Sequence, residues 1–134
     1  MNVDHPMPHT HVCVWIDHRE AKLFGIGLET ADEERLVEPG PHHRIHRKAD
    51  QVGKGKAPPD TAFLERIAEA LSASTAILIV GPGVAKAELA AHLRLHHATL
   101  AGRIWGIEPF DHPTDREIVA AARQFFRAAE RMHA

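Results

Sequence analysis

Residues 75–81 read TAILIVG, a continuous apolar run with no polar interruption. A strand exposed on one side alternates apolar with polar, so an unbroken run of this length points to a strand covered on both faces. Covered parallel strands need helices above and below them. The flanking sequence supplies these. Before the run, Asp60 or Thr61 can cap a helix that places Phe63, Leu64, Ile67, Ala68 and Leu71 on one face. After it, Pro82 and Gly83 turn the chain into a second helix carrying Ala85, Leu89 and Leu93.

The N-terminal part has a different rhythm. HVCVWID (11–17) is β-branched and aromatic, with Cys13 in its middle, and reads as a buried strand. The polar turn HRE leads into AKLFGIGL (21–28), so the two strands form a hairpin. EERLVEP (33–39) is a short charged strand, suited to a sheet edge, where charge discourages wrong pairing. AGRIWGIE (101–108) reads as a fifth strand. The last helix opens at HPTDRE, with Thr114 as N-cap and Glu117 three residues later as a capping box. Its apolar stripe is Ile118, Ala122, Phe125, Phe126 and Ala129.

The order β-β-β-α-β-α-β-α, with right-handed crossovers, places the later strands beside the first. The expected fold class is α/β: a single mixed five-stranded sheet of order 3-2-1-4-5, ribonuclease H-like, with three helices on its faces. At 134 residues one domain spanning 1–134 is expected, with residues 1–10 a flexible N-terminus and 39–59 a basic, histidine-rich loop. A lone cysteine fits a cytoplasmic protein, and no signal peptide or apolar run of about 20 residues marks a membrane route. The net charge of −2 singles out no partner, although twelve histidines make it sensitive to pH near neutrality.

Several constellations invite chemistry. A ribonuclease H-like outline suggests divalent metal held by Asp17, Glu108, Asp111 or Asp115, as two-metal phosphoryl chemistry requires. Asp17 abuts the hairpin turn, however, and is expected to accept its amides. Asp111 and Asp115 flank a helix start, where acids serve capping. The turn VGPGVAK (80–86) lacks P-loop spacing, and Pro82 has no amide to offer a phosphate. His92 and His96 lie one helical turn apart and could chelate a metal, but no His/Cys framework accompanies them. Neither a metal site nor a cofactor is therefore expected. Cys13 is read as buried, and no nucleophile elbow exists.

The loop carries the most concentrated signal: His42, His43, Arg44, His46, Arg47, Lys48, Lys54 and Lys56, with Gly53 and Gly55 between the lysines. Lys and Arg neutralise phosphates, and glycine lets backbone approach a ligand closely. A loop of about 20 residues is either functional or a solvated linker, and composition leaves both open. Arg123, Arg127 and Arg131 form a further stripe, read as a solvated helix face.

The segment TAILIVGPGVAKAELAAHL resembles the strand-turn-helix of the middle domain of archaeal and eukaryotic peptide-chain release factors and the related Pelota proteins. Lys86, Ala87, Glu88 and Leu89 match its K-x-E-L-like helix start. HVCVWIDHREAKLFGI and FDHPTDREIVAAARQFF are similar to small bacterial single-domain relatives described as translational machinery proteins. The resemblance implies the same ribonuclease H-like fold and a translation-associated role with RNA, ribosomal or transfer, or the ribosome as partner. It also implies that the segment between the third strand and the first helix is where release factors carry Gly-Gly-Gln. Here that segment reads DQVGKGKA, with Gln51 but no Gly-Gly before it, so peptide release is not expected. The competing expectations are a metal-dependent nuclease or hydrolase and a His-rich metal-binding module.

Overall fold

The computed structural model describes residues 10–27, 33–39 and 60–133. Its strands and helices follow in the order β1 (His11–Ile16), β2 (Ala21–Gly25), β3 (Glu33–Val37), α1 (Thr61–Ala70), β4 (Ala76–Gly81), α2 (Ala85–His96), α3 (Ala98–Ala101), β5 (Ile104–Pro109) and α4 (Asp115–His133). The five strands make one sheet of order β3-β2-β1-β4-β5. β1 pairs antiparallel with β2 and β2 with β3, while β1–β4 and β4–β5 are parallel. The charged strand lies at the edge, and the apolar run lies inside with all six residues buried.

Strand alternation divides the core into two halves. Val12, Val14 and Ile16 of β1, with Ile77 and Ile79 of β4, face α1 and α2. Cys13, Trp15, Leu78 and Val80 point the other way, toward Ile118, Ala122 and Phe126 of α4. The sheet is thus covered on both faces, which is why β1 and β4 carry no polar residue on either side between Val12 and Ile16 or between Ala76 and Val80. Burial pushes the Cys13 thiol up to about 12, so it stays a protonated packing group. The indole nitrogen of Trp15 donates to the Phe110 carbonyl at 3.1 Å, which satisfies its polar tip.

The caps form where the side-chain chemistry asks for them. Asp60 accepts from the Phe63 amide at 3.0 Å and starts α1. Thr114 and Glu117 exchange reciprocal bonds, the Thr114 amide to Glu117 Oε1 at 2.7 Å and the Glu117 amide to Thr114 Oγ1 at 3.1 Å. β2 and β3 end earlier than expected, at Gly25 and Val37, and the start of the fifth strand differs too. Ala101 does not open the fifth strand; it closes α3, and β5 begins at Ile104. Leu100 is buried, so a short turn of helix is anchored there before the chain enters the sheet, a tertiary contact invisible to strand propensity.

Two glycines punctuate the passage from β4 to α2. Gly81 has φ +148° and Gly83 has φ +62°. A Cβ on Gly81 would stand 2.1 Å from the Ile16 carbonyl oxygen, whereas one on Gly83 would meet nothing within 4 Å. Lys86 turns back to donate to the Gly83 carbonyl at 2.6 Å. Glycine at 81 is therefore a demand of strand packing, and Lys86 is engaged with its own turn.

Candidate functional site: a histidine cluster beside the root of the basic segment

The residues expected to contact RNA, His42, His43, Arg44, His46, Arg47, Lys48, Lys54 and Lys56, lie outside the described residues, as does Gln51. What is described is where that segment joins the scaffold. On one side β3 ends at Val37, and Arg66 of α1 donates to the Glu38 carbonyl at 2.7 Å. On the other, the Asp60 cap begins α1. Both ends of the segment are thus tied to the same helix.

One turn into α1, where it packs against α2, lies a cluster that local spacing does not reveal. Glu65 Oε1 is 2.9 Å from His92 Nε2 and 2.7 Å from His97 Nε2. His92 is buried, with 8% of its side chain exposed, and stands on α2 among Leu89 and Leu93. His97 is the residue after the helix; its backbone leaves helical geometry, at φ −143° and ψ 63°, and its amide still bonds to the Leu93 carbonyl at 2.7 Å. That turn folds the His97 ring back beside His92. The His97 hydrogen bond, then that of His92, holds the Glu65 carboxyl below its ordinary range against the opposing effect of partial burial. An ionised carboxylate only accepts, so each ring presents an Nε2–H to it.

Helical spacing alone pairs His92 with His96. Their rings do approach, with centroids 4.8 Å apart, but His96 is exposed and the group converging at one point is Glu65, His92 and His97. Thr61, Ala62 and His96 complete a shallow, open depression over the three. The sequence hints at this through the dense histidines between 92 and 97. It cannot supply Glu65, which is brought in by the packing of α1 against α2.

The acids considered for a nuclease centre are dispersed in function. Asp17 Oδ1 accepts from the amides of Arg19 at 2.8 Å and Glu20 at 2.9 Å, closing the β1–β2 hairpin. Glu108 is exposed on β5. Asp111 pairs with its neighbour His112 at 3.1 Å. Asp115 receives Lys22 Nζ at 2.9 Å, and this cation holds its carboxyl below the ordinary range. Desolvation first, then a hydrogen bond with Asp115, raises the nearby Glu34. Among the described residues, none of the four acids joins a three-ligand group able to hold a metal.

With strand order and covering helices in place, the chain can be set beside solved structures. It superposes on Pelota from Archaeoglobus fulgidus over 92% of its length, at 15% identity and TM-score 0.57. Pelota from Thermoplasma acidophilum matches over 89%, at 21% identity and TM-score 0.54. An archaeal translation termination factor, aRF1, matches over 92%, at 15% identity and TM-score 0.52. The fold is that of a Pelota and release-factor domain. The chain spans about a third of those proteins, 36%, 32% and 38% of their lengths. No family model and no curated protein matches the sequence. Among the described residues, no helix is long and apolar enough to cross a membrane.

Proposed function

We propose that this is a translation-associated domain that binds RNA, ribosomal or transfer, or the ribosome, and that it does so without releasing peptide. The observation that carries the reading is the fold shared with two Pelota structures and a termination factor. The sequence adds a basic segment between β3 and α1, in the position where the release-factor resemblance implies the functional loop. Arg44, Arg47, Lys48, Lys54 and Lys56 are the phosphate contacts in this reading, and His42, His43 and His46 add cationic or stacking contacts. The acting group is a charged surface, not a nucleophile. Cys13 is buried and protonated, and Asp17 is committed to a turn. Absence of Gly-Gly before Gln51 supports binding without hydrolysis of the peptidyl ester.

The test is sedimentation of the purified chain with ribosomes on sucrose gradients across a salt series, beside fluorescence titration with transfer RNA. Co-sedimentation that weakens with salt, and weakens further when the five basic residues become alanine, is the expected result, because each neutralised phosphate releases counterions. Equal behaviour of the wild type and the folded five-alanine variant removes the loop from the reading. Peptide release from programmed ribosomes above a buffer control removes the second half of it.

A further inference from the structure

The cluster on α1 and α2 takes no part in the proposed RNA contact, and its chemistry is independent of whether RNA binds. We propose that Glu65, His92 and His97 form a binding site for a first-row divalent transition ion, zinc by preference, with a fourth coordination position open to the depression above it.

Ligand type comes first. Two imidazoles and one carboxylate make a three-ligand set that zinc accepts with a water or other ligand in the fourth place, and the same set suits cobalt, nickel and copper. Geometry comes second. The three donor atoms lie within 4.8 Å of one another. At zinc–ligand distances of about 2.1 Å, a tetrahedral site separates its donors by about 3.4 Å. The present 2.9 Å and 2.7 Å contacts must therefore open by about 0.5 and about 0.7 Å to admit an ion. Placement comes third. Each ligand is rooted on a different structural feature: Glu65 on α1, His92 inside α2, and His97 at the residue that ends α2. The set is pre-formed by helix packing and needs no folding around the ion. Access comes fourth: His92 is buried while Glu65 and His97 are partly exposed, so the ion is held from below and reached from above.

The exchange balances. In the metal-free cluster both Nε2 atoms carry hydrogen toward the carboxylate. Coordination through Nε2 moves that hydrogen to Nδ1 on a neutral ring, with no net proton released; a charged ring loses one proton to solvent. The carboxylate, already ionised, turns from hydrogen-bond acceptor to ligand. His96, its ring centroid 4.8 Å from that of His92, lines the same depression.

The experiment uses the full chain without an affinity tag. Cobalt(II) is titrated and followed by its visible ligand-field absorption, then displaced by zinc. Glu65→Gln and His97→Gln are compared with wild type, with circular dichroism confirming each fold; Glu65→Gln keeps a polar neighbour for both rings and guards against a His97 variant that fails to fold. A triple variant, His42→Gln, His43→Gln and His46→Gln, tests the histidine-rich segment separately. One cobalt per chain with intense four-coordinate bands is expected, at affinity unchanged in the triple variant. Each single variant should weaken binding by more than about tenfold, the loss that even an outer-shell change can bring. No cobalt or zinc binding by the wild type overturns the site, as does binding that survives both single variants or vanishes in the triple variant.

Discussion

Replacement of Gly81 by alanine should be among the more damaging single-methyl changes in this chain, and the structure says why. The added Cβ would lie 2.1 Å from the Ile16 carbonyl oxygen, with ordinary contact beginning at 3.4 Å, so the two backbones must part by about 1.3 Å. Neither atom belongs to a side chain that can swing away. The strands concerned are β1 and β4, the parallel pair at the centre of the sheet, whose ladder ends at Trp15 and Val80 just beside the contact. The backbone at φ +148° adds a second penalty, of order 1–3 kcal/mol, because only glycine adopts it freely. Loss of one or two ladder bonds adds about 1 kcal/mol each. The sum is about 2–5 kcal/mol. Gly83→Ala provides the internal control: at φ +62° it has open space and should lose only about 1 kcal/mol. Urea denaturation followed by fluorescence of Trp15 and Trp105 measures both. With about 4 °C per kcal/mol for a chain this size, the melting temperature should fall by about 8–20 °C for the first and about 4 °C for the second. Equal losses for the two glycines, or a Gly81→Ala protein within about 1 kcal/mol of wild type, would refute the argument from close approach.

Asp17→Ala should destabilise the fold by about 1–2 kcal/mol through two orphaned turn amides, without change in RNA binding; urea melts and a titration with transfer RNA report the two effects. Asp60→Ala removes the α1 cap and should lower stability by about 1 kcal/mol, measured in the same way. Cys13 should resist a thiol reagent in native buffer and react at once in denaturant, since its thiol is buried and raised to about 12; fast native labelling would contradict this. For Lys22→Met the pH dependence carries the information. Asp115 is depressed in the folded state, so its contribution is present above the ordinary aspartate value near 3.9 and fades as pH falls through the lowered one. The stability gap between wild type and Lys22→Met should therefore be full at pH 6 and shrink below about pH 4; a gap that is constant down to pH 2 excludes the ion pair as its cause.

The strand order and the layers were legible because they follow from patterns that act locally. The run at 75–81 is apolar on both sides, the acids of β3 mark an edge, and the Thr114–Glu117 box writes its own helix start. Asp17 was legible for the same reason, since an aspartate at a hairpin turn bonds amides two and three residues on. α3 was not, because Leu100 is drawn into the core by contacts from distant elements. The histidine cluster was half legible. His92 and His96 announce themselves by helical spacing, but the ring that joins His92 is that of His97, turned by a non-helical residue, and the carboxylate comes from 27 positions earlier in the chain. No periodicity within one helix encodes a contact between two.

The manner in which α1 and β3 are finished off has an implication for altering this protein. β3 is held by five paired residues on β2, and α1 begins on a cap made by its own Asp60. The Arg66 bond to the Glu38 carbonyl then bridges strand end to helix. Each of these fastenings joins residues that flank the stretch 40–59. Lengthening a flexible connection between two such fixed ends raises its closure cost by only about 0.6 kcal/mol per doubling. An insertion between Pro39 and Asp60 that leaves these fastenings intact should therefore keep the sheet, and thermal melts of the elongated and natural chains side by side measure whether it does.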